Sequence, residues 1–410
     1  MSTSDRGADE GLFERLTEGP FGKILLPAII LQSVLIGGGY ATGREIVTYG
    51  AQYGAAGWLA VVGIWVGFTV MAVLTFEVAR TFGVYDYKSF IEQLIGRLWP
   101  AFDVVFLVMA VLVIAIMASA AGNIMEQTIG IPYLVGVSLV VVVVGVLSYA
   151  GESFIERFKT GGTTFLYLAY VLFGVVVLTQ TWGDVTAVFA SGDTSYVGDA
   201  SALSVLQSGV LYVGYNLVVF PAVFFALDRQ TSRRESVVSG LLAGALMTIP
   251  FALTYVSFMG FYPSEEVMGA SVPWLPVLES VGGPALIAFY GVVMGWTLIE
   301  TSVGLIHALV DRVDENIADV GVGPLEGQTN LSSLQAGLLS VGVLVGALVL
   351  SRVGIIALVS QGYTMMAYVL IALFAVPLLT VGVVRIRNPD WGSGFFGSDG
   401  SSAATARSDD

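Results

Sequence analysis

The chain has no cysteine and a single histidine, His307, among its 410 residues. These two absences exclude disulfides, thiolate catalysis and metal sites built from cysteine or clustered histidine. Charged residues make up only 12% of the chain, about half the share typical of a soluble domain. Lysine occurs only at positions 23, 88 and 159, and the formal net charge is −14. Nucleic-acid binding requires a clustered basic surface, so no nucleic-acid partner is expected.

Hydrophobic residues, in contrast, make up 56% of the sequence. Apolar stretches long enough to cross a bilayer recur about ten times, and helices satisfy their own backbone polar groups in lipid. The sequence therefore predicts an all-α integral membrane protein, in contact with membrane lipid, with about ten transmembrane helices. Their expected positions are 24–49, 55–80, 102–127, 131–149, 161–178, 203–227, 237–261, 284–310, 334–350 and 362–384.

The basic residues predict the orientation of these spans. With both termini in the cytoplasm, 15 of the 17 basic residues fall in cytoplasmic segments, and only Arg44 and Arg352 do not. We therefore expect a multi-pass protein of the cell membrane. Residues 1–22 form a cytoplasmic N-terminal tail in this interpretation, 23–386 the ten-helix transmembrane domain, and 387–410 a disordered cytoplasmic tail. Acidic, lysine-poor loops also suggest a halophilic source.

Two spans contain residues that disfavour a continuous helix near mid-membrane depth. The first contains Gly37, Gly38 and Gly39, and each glycine costs a helix about 1 kcal/mol relative to alanine. The sixth contains Tyr212-Val213-Gly214-Tyr215-Asn216, followed by Pro221. These spans begin the two five-helix halves, repeat one at about 23–180 and repeat two at about 201–386. Matching interruptions indicate inverted repeats with a binding site between discontinuous helices 1 and 6. The alternative is that the glycines allow a tight crossing or a bend.

The eighth span contains the other informative polar residues. Glu300 and His307 are spaced to share one helical face, and Thr301 and Ser302 follow the carboxylate directly. A carboxylate in the apolar core costs about 3 kcal/mol or more, so Glu300 is a candidate for coupling. The alternative is a structural clamp between helices. For His307 we favour an inter-helix hydrogen bond over proton transfer.

The segments GGGYATGREI and ETSVGLIHAL, in the first and eighth spans, resemble the YkvI-like membrane proteins of the amino acid–polyamine–organocation (APC) superfamily. The likeness extends over residues 22–386 and implies a LeuT-like fold with a 5+5 inverted repeat. Gly38 and Arg44 resemble the unwound first helix and the gate arginine of the LeuT-type sodium symporters. Thr301 and Ser302 are similar to the hydroxyl pair of their sodium site, which implies Val34, Gly37 and Leu298 as carbonyl ligands.

We therefore expect a Na⁺-coupled symporter of a small polar organic solute such as an amino acid, with no cofactor besides Na⁺ as coupling ion. The expected solute-binding residues lie around the two interrupted spans: Gly37, Gly38, Gly39, Tyr40, Ala41, Ser119, Asn123, Tyr212, Gly214, Tyr215 and Asn216. Arg44, Glu300 and His307 are the gating or coupling candidates. Arg44 lacks an obvious acidic partner on the tenth span, where Gln361 and Thr364 occur instead.

Two other functions remain open. One is a proton-coupled carrier that uses Glu300, and the other is a transporter-fold sensor that binds solute without transporting it. The absence of a lysine within the fifth span favours Na⁺ over H⁺, since proton-coupled relatives often have one there. An enzyme is not expected, because no catalytic triad or phosphate loop is visible. The sequence does not predict an oligomeric state.

Overall fold

A computed structural model describes residues 19–149, 152–198, 200–320, 330–392 and 395–396. These described residues form helices joined by turns and short irregular segments, with no strand among them. The helices are α1 (Phe21–Leu35), α2 (Arg44–Tyr49), α3 (Trp58–Phe82), α4 (Tyr87–Ile95), α5 (Trp99–Ile129), α6 (Tyr133–Tyr149), α7 (Glu152–Ser191), α8 (Ala202–Asn216), α9 (Arg233–Met259), α10 (Trp274–Val320), α11 (Ser333–Ser351) and α12 (Ile355–Arg387).

Eight helical segments in the described part of the chain are long and apolar enough to cross a membrane. Two shorter apolar helices, Phe21–Leu35 and Tyr133–Ser148, correspond to the first and fourth predicted spans. The all-helical, polytopic architecture is thus confirmed. The fifth span differs in extent, because α7 continues to Ser191 instead of ending near residue 178. Polar side chains such as Asp184 are exposed at that end of the helix, so they do not force it to stop.

The first span is interrupted twice. Helix α1 ends at Leu35, and Ile36 leaves the helical region with φ −81° and ψ 87°. A single helical turn, Gly38–Ala41, follows before α2 begins. Gly43 precedes α2 with φ 84°, a conformation that glycine adopts without a steric penalty. The unwound positions are therefore Ile36-Gly37 and Thr42-Gly43, and Gly38 and Gly39 lie in the turn between them.

The sixth span is discontinuous in a different way from the prediction. Helix α8 is regular through Val213–Asn216, and the chain then tightens into a 3₁₀ helix, Leu217–Ala226. The break thus begins one residue after the predicted segment, and it is a change of helix type rather than an unwound stretch. Pro221 lies inside the 3₁₀ helix, and it lacks the N–H that would continue α-helical bonding.

The helices form two packed groups. The first, second, sixth and seventh spans contact one another mainly through α3, which packs extensively on α8 and α9. The third, fourth, eighth and ninth spans form the second group around α5. Each group takes two helices from each half of the chain, as inverted repeats require.

The stretch predicted as a disordered tail contains one buried side chain among its otherwise exposed described residues. Phe396 is buried, and its ring lies 5.2 Å from the guanidinium of Arg385. Arg385 in turn donates a hydrogen bond to the Gln93 carbonyl on α4, at 3.0 Å. Aromatic side chains therefore anchor this segment, which sequence composition alone did not indicate. Residues 397–410, and residues 1–18 of the N-terminal tail, lie outside the described part of the chain.

Candidate functional site

A cavity of about 930 Å³ lies between the two helix groups. The first group contributes residues at the end of α1, Glu45 on α2, and Tyr215 and Asn216 at the end of α8. The second group contributes Phe106 and its neighbours on α5 and the stretch of α10 that includes Glu300. The cavity therefore meets both interrupted spans, where a solute site between discontinuous helices is expected.

The Glu45 carboxylate occupies the end of the cavity at the helix break. Glu45 is 4% exposed, and its Oε2 accepts a hydrogen bond from the Tyr215 hydroxyl at 2.6 Å. Its Oε1 lies directly against Gly39, so that a Cβ at position 39 would collide with it. The hydrogen bond from Tyr215 to Glu45 links the two interrupted spans. Glu45 lies within the segment GGGYATGREI, but the sequence analysis gave it no role. A carboxylate within an apolar span is itself a signal of function.

Tyrosine rings surround this contact. Tyr215 stacks on Tyr363 of α12 with ring centroids 4.4 Å apart, and both side chains line the cavity. Tyr49 and Tyr212 pack against Tyr215 with centroids 5.5 Å away. The Tyr49 hydroxyl donates to the Val359 carbonyl at 3.2 Å. The deep end of the cavity is thus bounded by one carboxylate and the faces and edges of aromatic rings.

The second interruption in the first span is held by groups from other helices. The hydroxyl of Tyr170 on α7 donates to the Tyr40 carbonyl at 3.1 Å, and that of Tyr290 on α10 donates to the Ala41 carbonyl at 3.2 Å. The Trp274 amide bonds the Thr42 carbonyl at 3.3 Å. Carbonyls of the interrupted segment therefore have partners in the protein interior, where an unpaired one would be costly.

The predicted solute residues divide into different surroundings. Gly37, Tyr215 and Asn216 line the cavity. Tyr40, Ala41 and Tyr212 are fully buried in the packed interior, and Gly39 lies beneath Glu45. Gly214 faces the side chain of Ile371 on α12, and Gly38 begins the single turn.

Ser119 and Asn123 were predicted to belong to the same pocket but lie beside a second one. This cavity of about 580 Å³ is lined by Asn123, Tyr133 and Gln361 among others. The Tyr133 hydroxyl lies 2.8 Å from the Ser119 hydroxyl oxygen and 2.6 Å from the Ser351 carbonyl oxygen. The residues expected to form one pocket are therefore distributed between two cavities and the packed region around Tyr40.

The predicted sodium ligands are only partly brought together. Val34, Gly37 and Thr301 line the large cavity. Ser302 and Leu298 are buried, and the Ser302 hydroxyl donates to the Leu298 carbonyl at 2.7 Å. The Gly37 carbonyl accepts the Ala41 amide at 2.8 Å. The Gly37 carbonyl keeps a second lone pair, whereas the Leu298 carbonyl, inside α10, accepts both the amide four residues on and the Ser302 hydroxyl. Carbonyl and hydroxyl oxygens are nevertheless the ligand types that suit a hard cation.

The three coupling candidates have distinct partners. Arg44 donates to the carbonyls of Met268 and Ala270, at 2.8 and 3.0 Å, in the segment between α9 and α10. Glu300 lines the cavity and accepts a hydrogen bond from the Trp296 indole at 3.1 Å. His307 Nε2 lies 3.1 Å from the Ser148 carbonyl on α6. Arg44 therefore bonds the segment between α9 and α10 and not the tenth span.

The far end of the cavity carries a cationic group that sequence reasoning did not identify. The guanidinium of Arg312 lies between the rings of Tyr87 and Phe106, 3.8 Å from each centroid. Its Nη1 is 3.7 Å from Asp103 Oδ1. Lys88 and Glu315 line the same end. The available signal was that Arg312 is the one basic residue in its predicted cytoplasmic segment.

Comparisons with known proteins identify the fold. The chain matches no protein-family model. It is 21% identical over 357 residues to the uncharacterized membrane protein YkvI of Bacillus subtilis (strain 168), which covers 84% of this chain and 92% of that protein. This distant relationship supports the resemblance drawn from the motifs.

Three solved structures share the architecture. Mhp1 in an inward-facing conformation gives a TM-score of 0.59 at 14% identity, covering 88% of this chain and 77% of Mhp1. MhsT in complex with L-phenylalanine gives a TM-score of 0.55 at 15% identity, covering 89% of this chain and 87% of MhsT. A Na⁺-coupled sialic acid symporter, substrate-bound and outward-open, gives a TM-score of 0.53 at 13% identity, covering 88% of this chain and 86% of the symporter. The expected LeuT-like fold is confirmed.

Proposed function

We propose that this chain is a secondary active transporter that moves a small polar organic solute across the cell membrane by alternating access. The observation that carries the proposal is the cavity at the two interrupted helices, with walls from both helix groups. In this arrangement, a rocking motion of one group against the other opens the site to either side in turn. The fold shared with a Na⁺-coupled sialic acid symporter supports the same function.

The two cavities correspond to the two sides of the proposed permeation path. The larger one extends to Lys88 and Arg312, in segments whose basic residues predict a cytoplasmic location. The smaller one is lined by Asn123 and Gln361 and represents the extracellular side. Tyr40, in the interrupted first span, is fully buried and lines neither cavity. We assign the described conformation as inward-open with the outer gate closed by the contacts of Arg44.

We further propose Na⁺ as the coupling ion in a symport mechanism. Thr301, Val34 and Gly37 line one cavity, and carbonyl and hydroxyl oxygens suit a hard cation. Ser302 is buried, and its hydroxyl oxygen can still coordinate an ion while its proton is donated to the Leu298 carbonyl.

The test is solute uptake into proteoliposomes with and without an inward Na⁺ gradient. Thr301→Ala and Ser302→Ala should raise the Na⁺ concentration required for half-maximal uptake, because each removes one oxygen ligand. Ser138→Ala is a matched control: Ser138 is exposed, and its hydroxyl makes the same type of bond, to the Leu134 carbonyl at 2.7 Å. Uptake indifferent to Na⁺ in the wild type would rule out this coupling.

A proton-coupled carrier is the second candidate, because Glu300 lines the cavity wall. Glu300→Gln keeps the shape of the side chain but cannot titrate. Sodium coupling predicts that the variant retains its Na⁺ requirement. If uptake instead follows a pH gradient and Glu300→Gln abolishes it, proton coupling replaces sodium coupling. Solute binding without any uptake would indicate a sensor.

A further inference from the structure

Building on the proposed function, we propose that Glu45 is a proton-binding site of the transport cycle. Its carboxyl group holds a proton in the described conformation and releases it through the large cavity to the cytoplasm. A proton therefore crosses the membrane together with the solute, in addition to the Na⁺ proposed above. This assigns a role to a carboxyl group that neither the sodium site nor Glu300 involves.

The immediate partners of Glu45 suit a neutral acid. The side chain is 4% exposed, and its Oε2 lies 2.6 Å from the Tyr215 hydroxyl oxygen. The backbone of Tyr40 supplies a second hydrogen bond. Both partners are uncharged, and an ionised carboxylate buried without a cation is so costly that the group keeps its proton instead.

The elements packed around Glu45 bring no cation to it. Helix α9, which packs on α2, presents Phe251 and Phe258 beside Gly50 and Gly43. Within the described part of the chain, the titratable side chains that interact with Glu45 are tyrosines of α2, α7, α8 and α12: Tyr49, Tyr170, Tyr212, Tyr215 and Tyr363. None of them carries the positive charge that would hold the carboxylate ionised.

The charged residues nearest to this group do not compensate it either. Arg44, the preceding residue, donates to the carbonyls of Met268 and Ala270, and its electrostatic partners are Tyr196 and Glu265. Glu300 lines the wall of the cavity that the other helix group forms, and it is itself an acid. A bound proton is therefore the simplest way to neutralise Glu45.

The position of Glu45 gives its proton a route. The side chain lines the same cavity as Lys88 and Arg312, which lie in segments predicted to be cytoplasmic. It also lies at the interruption of the first span, and alternating access exposes such a site to one side and then to the other. The group can thus take up a proton outside and release it inside. While neither side is open, the neutral acid costs less in the apolar interior than the carboxylate does.

Infrared difference spectroscopy reports the proton on Glu45 without knowledge of the solute. In pH-difference spectra of the full-length protein in nanodiscs, we expect a carboxylic-acid C=O band that is lost reversibly as the pH rises and that Glu45→Gln lacks. Glu126→Gln is the control, since Glu126 is exposed and lines the other cavity, so the band should remain unchanged. Identical spectra of the wild type and folded Glu45→Gln would overturn the proposal.

Tyr215→Phe keeps the measurement decisive if Glu45→Gln does not fold. This variant removes the hydroxyl that bonds Glu45 Oε2, so the C=O band should shift in frequency. Tyr368→Phe, which alters an exposed hydroxyl, should leave the band in place. A band that Tyr215→Phe does not move would overturn its assignment to Glu45.

Proton movement during uptake separates this inference from the proposed function. Proteoliposomes that contain a pH-sensitive dye should acidify inside when a transported solute is added outside, and Glu45→Gln should abolish this acidification. Solute uptake without acidification, equal in the wild type and Glu45→Gln, would support a transporter and overturn the proton site. A band that depends on Glu45, without uptake of any solute, would support the protonated carboxyl and overturn the transport function on which the coupling rests.

Discussion

Gly39 and Glu45 determine the geometry of the site at the level of single residues. Glycine at 39 leaves room for the Glu45 carboxylate, which in turn bonds Tyr215 on another helix. Gly39→Ala should displace the carboxylate and break this bond, at a cost of about 1–3 kcal/mol in stability. The measurement is the thermal unfolding midpoint of the variant and of the wild type.

Gly295→Ala is the matched control for that substitution. Gly295 lies on α10, and an added Cβ there would meet no heavy atom within 4 Å. Alanine is a better helix former than glycine, so the control should be neutral or slightly more stable. Equal behaviour of the two variants would show that the contact between Gly39 and Glu45 does not constrain the site.

Single residues were also where sequence reasoning was weakest. The glycine run predicted an interruption, but the sequence could not indicate that Glu45 folds back over Gly39. That contact depends on the sharp turn at Gly43 and on Tyr215, which is remote in sequence. Likewise, Ser119 and Asn123 share a helix with cavity-lining residues but lie farther along it, beside Tyr133.

At the scale of elements, the interrupted first span depends on side chains from two other helices. Tyr170 and Tyr290 donate to the carbonyls of Tyr40 and Ala41. Tyr170→Phe and Tyr290→Phe should each lower the free energy of unfolding by about 1–3 kcal/mol, because each leaves a buried carbonyl with one partner fewer. Tyr368→Phe is the control, since Tyr368 is exposed and 3.4 Å from Gln207. Equal stability of all three variants would contradict this role.

The pairing of α3 with α9 provides a second prediction at this scale. Small residues at four-residue spacing occur at Gly240 and Gly244 and again at Gly342 and Gly346, and both pairs suggest close helix packing. A Cβ on Gly244 would lie 2.7 Å from backbone atoms of Thr69, whereas one on Gly342 would meet nothing within 4 Å.

Gly244→Ala should therefore destabilise the protein by about 1–3 kcal/mol, and Gly342→Ala should not. Denaturation of the two variants in the same detergent checks this difference. A stable Gly244→Ala protein would mean that α3 and α9 separate without cost. The sequence motif is identical in both places, so only the packing partner, which depends on the tertiary fold, distinguishes them.

For the whole molecule, hydropathy was sufficient to predict about ten spans, and the matching interruptions indicated inverted repeats. The LeuT-like fold was implied by the resemblance to the YkvI-like proteins. Apolar spans and interruptions are repeated along the chain, so errors in individual helix ends, such as that of α7, do not alter the architecture. The conformational state is different, because an inward-open and an outward-open protein share one sequence and one helix order. Only the positions and extents of the two cavities assign the state.

The assigned state makes a prediction about accessibility from each side of the membrane. The chain has no native cysteine, so single cysteines can be placed without background. Ala308 lines the large cavity and Gln361 the small one. In sealed vesicles of known orientation, a membrane-impermeant maleimide should label Ala308→Cys only from the cytoplasmic side and Gln361→Cys only from outside. Val292→Cys, 69% exposed on the apolar surface of α10, should react poorly from either side, since lipid covers it.

The same variants test orientation and alternating access together. Labelling of Ala308→Cys from outside intact cells would reverse the predicted topology, as would external accessibility of a C-terminal tag. If the site alternates, conditions that favour the outward-open state should slow labelling at position 308 and speed it at position 361, because one cavity closes as the other opens. Parallel changes at both positions would instead indicate a general loosening of the helices, which two rigid groups that rock against each other cannot produce.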